Sequence, residues 1–213
     1  KDVKFDTWEE TFAALRDIFA KEAQRHKELQ SSEKCDGYSR KVYERLVNGS
    51  ATEVELSSAL LDLSAMLHSH YDVAPVIIID DTPIQQGHSE DYYDKIIRFM
   101  RNLFSGGFKD NSHLSFGFLT GILRVAKESI FSGMNNLSIN SVLDNKYSAY
   151  FGFTADEVRE MAAYYDAADK YDEICQWYDG YLFGKTEIFN PWSVVSYFSN
   201  KCEPRPFWVS TGS

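Results

Sequence analysis

Most apolar positions in this chain recur at helical spacing, and the clearest exception is PVIIIDDTP, Pro75 to Pro83. Its four consecutive β-branched residues, Val76 to Ile79, do not alternate with polar ones. Such a run predicts a strand buried on both faces, as in the interior of a parallel sheet. It stops at two carboxylates, Asp80 and Asp81. Helical spacing then returns: Gln85–His88 reads as a loop, Ser89 as a cap, and Ile96, Ile97, Met100, Leu103 and Phe104 as one face of a helix over 89–104 that stops at Gly106-Gly107. A second apolar run, Leu114 to Leu119, predicts another strand. Strand, helix, strand in this order predicts a right-handed crossover between parallel strands, with both carboxyl ends on one edge.

Upstream, Lys1–Asp6 reads as the end of a strand or its exit loop. Thr7 with Glu10 then spells a capping box, and Trp8, Phe12, Leu15 and Phe19 form an apolar stripe running into a charged, solvated tail over Lys21–Glu28. Cys35–Ser39 reads as a loop and Tyr38–Asn48 as a helix closed by Gly49. Thr52 with Glu55 opens a helix to about His70, with Leu56, Leu60, Leu63 and Leu67 on its buried face. Downstream, Ile130–Asn145 is polar and rich in Gly and Asn, a loop leaving the sheet. After it the pattern turns helix-rich: Thr154 with Glu157 caps a helix to about Tyr165, Tyr171–Tyr178 continues helical, and Asn190-Pro191 starts a helix that turns Trp192, Val195 and Phe198 inward. The expectation is an α/β core over 1–140 and a helix-rich C-terminal subdomain over 141–213.

Composition narrows the function classes. With 44% hydrophobic and 15% aromatic residues in 213, the chain has ample material for a packed interior. A net charge of −10 argues against direct nucleic-acid binding, which relies on clustered Lys and Arg. Cys35, Cys175 and Cys202 are far apart and form no CxxC pair, so neither a disulfide framework nor a zinc site is suggested, and a reducing cytoplasm is expected. No apolar run approaches the roughly 20 residues of a transmembrane helix, and the first residues have no signal-peptide pattern.

The candidate chemistry lies where the two strands end. In an open α/β sheet the carboxyl edge lines the ligand crevice, which brings Asp80 and Asp81 beside Thr120, Gly121 and Arg124. Acid and cation together suit a metal-bound phosphate, with Asp80 toward magnesium. The same residues also suit an Asx-type turn at Asp-Thr-Pro and a structural ion pair with Arg124. His68 and His70 attract notice as metal ligands, yet residues two apart on a helix point about 200° apart, so one ion cannot take both. GYLFGKT, Gly180–Thr186, imitates a phosphate loop but has three residues between its glycines where four are needed, and no buried strand precedes it. It reads as a turn between aromatic-rich elements. A nuclease reading would need a Glu-x-Lys beside the aspartates, and Lys127-Glu128 does not supply it.

FLTGILRVAKESIFSGMNNLS (118–138), YFGFTADEV (150–158), WYDGYLFG (177–184), FNPWSV (189–194) and FWVSTG (207–212) together resemble the bacterial AAA-ATPase-like family of P-loop ATPases, many of which continue into a PD-(D/E)XK nuclease-like domain. The resemblance covers nearly the whole chain. It implies a P-loop-NTPase-like parallel sheet with ATP and magnesium as cofactors and the PVIIID strand in the Walker B position. Asp80 would then order magnesium, and Arg124 would sense phosphate or pair within the core. Two departures accompany it. No GxxxxGK[ST] occurs in these 213 residues, so the chain is expected to begin after the phosphate loop and to be inactive alone. The family pattern also runs Asp-Glu-Tyr-Asp before Thr/Lys-Pro-Ile, whereas Asp80 is followed directly by Asp81-Thr82-Pro83-Ile84. Either the glutamate expected to activate water is deleted, or a Glu-Tyr pair is absent from the sequence as it stands. A non-enzymatic reading takes the aromatic-rich half, Tyr147 to Trp208, as a module that docks a protein partner or a nuclease-like domain, although core packing explains the same enrichment.

Overall fold

Local capping chemistry sets where the helices begin. In a computed structural model that describes residues 7–80, 92–121 and 137–210, Glu10 N–H donates to Thr7 Oγ1 (3.3 Å) at the start of α1, Trp8–Gln24. Asp36 caps α2, Gly37–Val47, by accepting from Ser39 N–H (2.7 Å). The reciprocal Thr52–Glu55 box opens α3, Glu53–Tyr71. Gly49, at φ +62°, supplies the left-handed residue that ends α2. The predicted strand or loop at 1–6 and the predicted loop and cap at 85–89 lie outside the described residues. The structure forms two units, 1–137 and 138–213.

The first unit pairs a helical layer with two strands. Trp8, Leu15 and Phe19 of α1, Val42, Tyr43 and Leu46 of α2, and Leu56, Ala59 and Leu63 of α3 share one core with Ile96, Phe99, Met100, Leu103 and Phe104 of α4, Tyr93–Phe108. Burying an aromatic or aliphatic side chain of this size stabilises by about 1.5–3 kcal/mol. Tyr43 adds direction to the packing: its hydroxyl lies within hydrogen-bond distance of Ala23 O (2.9 Å) and His26 O (3.0 Å), which ties α2 to the end of α1. Gly106-Gly107 does not stop α4, contrary to the sequence expectation. A Cβ at Gly107 would lie 2.8 Å from Leu60 Cβ, so the glycine is where α4 approaches α3, inside the helix. Close approach, here, is the use to which the missing side chain is put.

β1, Val76–Asp80, and β2, Phe116–Thr120, pair in parallel, with Val76 opposite Phe116 and Asp80 opposite Thr120. Ser115 N–H extends the ladder by donating to Pro75 O (2.9 Å). Ile79 and Leu119 pack on the helical core, and a Cβ at Gly117 would meet the Phe108 ring at 2.5 Å. The opposite face is bare: Val76 is 54% exposed, Ile78 70%, Phe116 61% and Phe118 40%. Burial on both faces is therefore not what the described residues provide. The correction has a simple cause, since one helical layer covers one face of a sheet and α1–α4 all contribute to that one core.

The second unit holds a sheet that the sequence reading missed. β3, Phe153–Thr154, and β4, Asp179–Phe183, flank β5, Thr186–Phe189, in antiparallel order β3-β5-β4. GYLFGKT is thus the β4–β5 hairpin, turning at Gly184 (φ +55°), where a Cβ would lie 2.5 Å from Asn145 Oδ1. Around the sheet stand α5, Ala155–Tyr164, behind the Thr154–Glu157 box; α6, Tyr171–Tyr178; and α7, Pro191–Ser199, capped by Asn190. Val158, Ile174, Tyr178, Phe189, Val194 and Tyr197 form the core. The Tyr197 hydroxyl donates to Glu173 Oε1 (2.6 Å), and the Tyr178 hydroxyl to Arg205 O (3.0 Å).

Candidate functional site

The carboxyl edge of the parallel pair carries the polar groups that the sequence singled out, as far as they are described. A strand run that ends in Asp and another that ends in Thr come into register, so residues 80 and 120 face each other as strand partners. The Thr120 hydroxyl donates to Asp80 Oδ1. Asp80 is exposed and Thr120 half-buried. The hydroxyl therefore fixes the direction of the carboxylate and leaves Oδ2 for another donor or a hard cation. Gly121 follows Thr120 and ends the described segment. Asp81 and Arg124, the other two members of the predicted constellation, lie outside the described residues, as does Lys127-Glu128.

One carboxylate and one hydroxyl can be part of an ion site but not all of it. Among the described residues no group of three or more His, Cys, Asp or Glu side chains is arranged to hold a metal. Magnesium in nucleotide sites commonly takes only one or two protein oxygens and fills the rest of its shell with water and phosphate oxygens. Among the described residues the donors at this edge, Asp80 and Thr120, are both hard oxygens. His68 and His70 part company as their helical spacing requires: His70 Nδ1 lies 2.9 Å from Ser32 Oγ and His68 Nδ1 lies 3.2 Å from His113 Nδ1.

The aromatic-rich half divides into core and surface. Tyr178, Phe189, Tyr197 and Phe198 are buried, whereas Tyr150, Tyr164, Leu182 and Trp192 stand exposed. Core packing thus accounts for only part of the enrichment. An open cleft of about 470 Å³ in this unit is lined by Thr154, Asp156, Leu182, Lys185 and Glu187. It lies at the start of α5, but Glu157 Oε2 already accepts from Thr154 N–H (2.8 Å), and Asp156 and Glu187 outnumber Lys185, so the cleft does not favour an anion.

Fold and edge geometry define a mixed α/β protein with a parallel strand pair and an acid at its carboxyl edge. A family profile described as predicted AAA-ATPase matches residues 1–131, and the chain belongs to that AAA-ATPase-like family. A protein of Azotobacter chroococcum mcd 1, described as an uncharacterised protein in the vnfD 5′ region, is 31% identical over 175 residues, covering 81% of this chain and 34% of that protein. The chain spans about a third of that relative's length. No solved structure matches. No described helix is long and apolar enough to cross a membrane.

Proposed function

We propose that this chain supplies the carboxyl-edge part of a magnesium–nucleotide site in a cytoplasmic, ATP-binding and ATP-hydrolysing regulatory protein built on a P-loop-NTPase-like sheet. The observation that carries the reading is the in-register end of β1 and β2, where Asp80 and Thr120 are partners joined by a hydrogen bond. Membership of the AAA-ATPase-like family supports it. So does the bare apolar face of the pair, because parallel sheets are covered on both faces, and a further layer of a longer parent protein would cover Val76, Ile78, Phe116 and Phe118.

In this reading Asp80 holds magnesium through water, and Thr120 restrains the carboxylate. Magnesium, when bound, neutralises charge on the β- and γ-phosphates. Arg124 answers the phosphate charge, as the family resemblance implies, and Asp81, the acid that follows Asp80 in this sequence, takes the missing glutamate's part in orienting the attacking water. The phosphate cradle must come from elsewhere in the parent, since no GxxxxGK[ST] occurs in these 213 residues. Exposed Tyr164, Leu182 and Trp192 support a second role for the C-terminal unit, the docking of a nuclease-like domain or another protein.

Calorimetry with ATP and magnesium tests the first role. The chain alone should bind ATP weakly or not at all and should not turn it over, because several charge-assisted hydrogen bonds worth about 1.5–3 kcal/mol each are missing together. The parent protein should bind, and Asp80→Ala in the parent should abolish turnover. Micromolar binding by the chain alone, lost on Asp80→Ala, would show that its own residues complete the site and would overturn the division of labour.

A further inference from the structure

The opposite, amino-terminal edge of the β1–β2 pair carries a second constellation. His68 is on the last turns of α3, eight residues before β1, and His113 is in the short connection from α4 to β2. Forty-five residues apart in sequence, they meet with Nδ1 atoms 3.2 Å apart and rings inclined at 71°. Both backbones are fixed. His68 O accepts from Asp72 N–H (2.9 Å) at the end of α3. His113 N–H donates to Asn111 Oδ1 (3.0 Å), while Asn111 Nδ2 donates to Gly107 O (2.8 Å), so one asparagine ties the connection back to α4. Both imidazoles are half-buried, and Asp72, which pairs with Lys34, places a carboxylate at the same end of α3.

We propose that His68 and His113 form a binding site for a divalent transition-metal ion of the imidazole-preferring kind, zinc, nickel or cobalt(II), with water completing the shell. Two metal–nitrogen bonds of about 2.0–2.1 Å at a tetrahedral angle span about 3.3 Å, close to the separation already present. Ligands held on a helix end and a tied turn lose little freedom on binding. Imidazole pairs favour these ions over magnesium, so this site is chemically distinct from the oxygen donors at Asp80. The same separation also suits a single Nδ1–H···Nδ1 hydrogen bond between neutral rings, and the experiment distinguishes the two. Bound metal would clip together the entries to both strands, linking α3 to the start of β2.

The test is calorimetric titration of the full, tag-free chain with zinc and cobalt(II), followed by imidazole NMR. One equivalent should bind, and His68→Ala and His113→Ala should each weaken it by about tenfold or more. His70→Ala should leave it unchanged, because that ring faces Ser32. In the unmodified chain, zinc should shift the ring signals of His68 and His113 and leave those of the other three of its five histidines in place, a readout that does not depend on any variant folding. No binding, equal binding by both alanine variants, or shifts at other histidines would overturn the site and leave the pair as a hydrogen bond.

Discussion

The β1–β2 pair and the β3-β5-β4 sheet are both small, yet their apolar residues meet different surroundings. In the antiparallel sheet the central strand is enclosed by its own unit: Phe189 enters the core beside Tyr197, and Ile188 lies under the Gly152 backbone, where a Cβ would sit 2.1 Å from Ile188 Cγ2. In the parallel pair, among the described residues, the Ile79 and Leu119 side is packed, while Ile78 and Phe116 on the other side are over half exposed. An apolar run therefore says that a strand wants cover, and the identity of the cover is a separate question. In the second unit the flanking helices answer it. In the first, half of the cover is missing from the described residues.

Substitutions on the two faces of the first unit give the largest contrast. Phe104→Ala, at a fully buried position of α4, should cost about 3–5 kcal/mol in denaturant unfolding. Ile78→Ala should cost no more than about 0.5 kcal/mol, the usual range for an exposed site. A loss at Ile78 approaching that at Phe104 would mean the bare face is buried in solution by self-association, and the midpoint would then depend on protein concentration. In the parent protein the proposed second layer should raise the cost at Ile78 to that of a core position.

An intermediate effect is expected inside the second core. Burial raises the pKa of Tyr197 first, and its hydrogen bond to Glu173 and the nearby carboxylate charge raise it further. The folded state therefore keeps its phenolic proton where the unfolded chain loses it. Stability from this group is fully present below the ordinary tyrosine value near 10 and falls as pH rises beyond it. Tyr197→Phe should cost about 1–1.5 kcal/mol at neutral pH by removing the 2.6 Å bond to Glu173. It should also flatten the loss of stability between about pH 10 and 11.5. A variant with an unchanged alkaline slope would assign that loss to Tyr178 or Tyr171, whose values are also raised, Tyr171 to about 12.

How far these features were legible follows from the range of the interactions. The capping boxes, the Gly49 stop and the parallel order of β1 and β2 were readable because each rests on residues close in sequence or on one connection rule. α4 ran past Gly106-Gly107 because a contact with Leu60 of α3 decided the position, and no local pattern carries that. The β3-β5-β4 sheet was hidden because Gly180–Thr186 read as a turn between aromatic-rich elements with no strand on either side, and because β3 has two residues. At the site, the Asp80–Thr120 partnership followed from the strand ends. The His68–His113 meeting had no signal, since His113 sits in a connection whose path is set by tertiary packing.

The smallest expected effect compares helix starts that are chemically alike in the two units. Thr52 with Glu55 and Thr154 with Glu157 form full capping boxes, whereas α4 has no side-chain cap at Tyr92. In the second unit Glu157 N–H donates to Thr154 Oγ1 (3.4 Å) and Thr154 N–H donates to Glu157 Oε2 (2.8 Å), so Thr154→Ala should cost about 1 kcal/mol and Thr154→Ser should recover most of it. Hydrogen bonding to the Thr154 backbone holds the Glu157 carboxyl below its usual range, with the Thr154 hydroxyl adding to the effect. The carboxylate's contribution is therefore present above its ordinary value near 4.3 and is lost as pH falls through the lower folded value. Thr154→Ala should remove the hydroxyl's share of that acid-side dependence together with the cap, while the backbone N–H of residue 154 keeps its own share. Unfolding followed between about pH 3 and 6 decides it: parallel curves for Thr154→Ala and the unsubstituted chain would mean that the hydroxyl adds nothing to the carboxylate's contribution, which then rests on the backbone N–H alone.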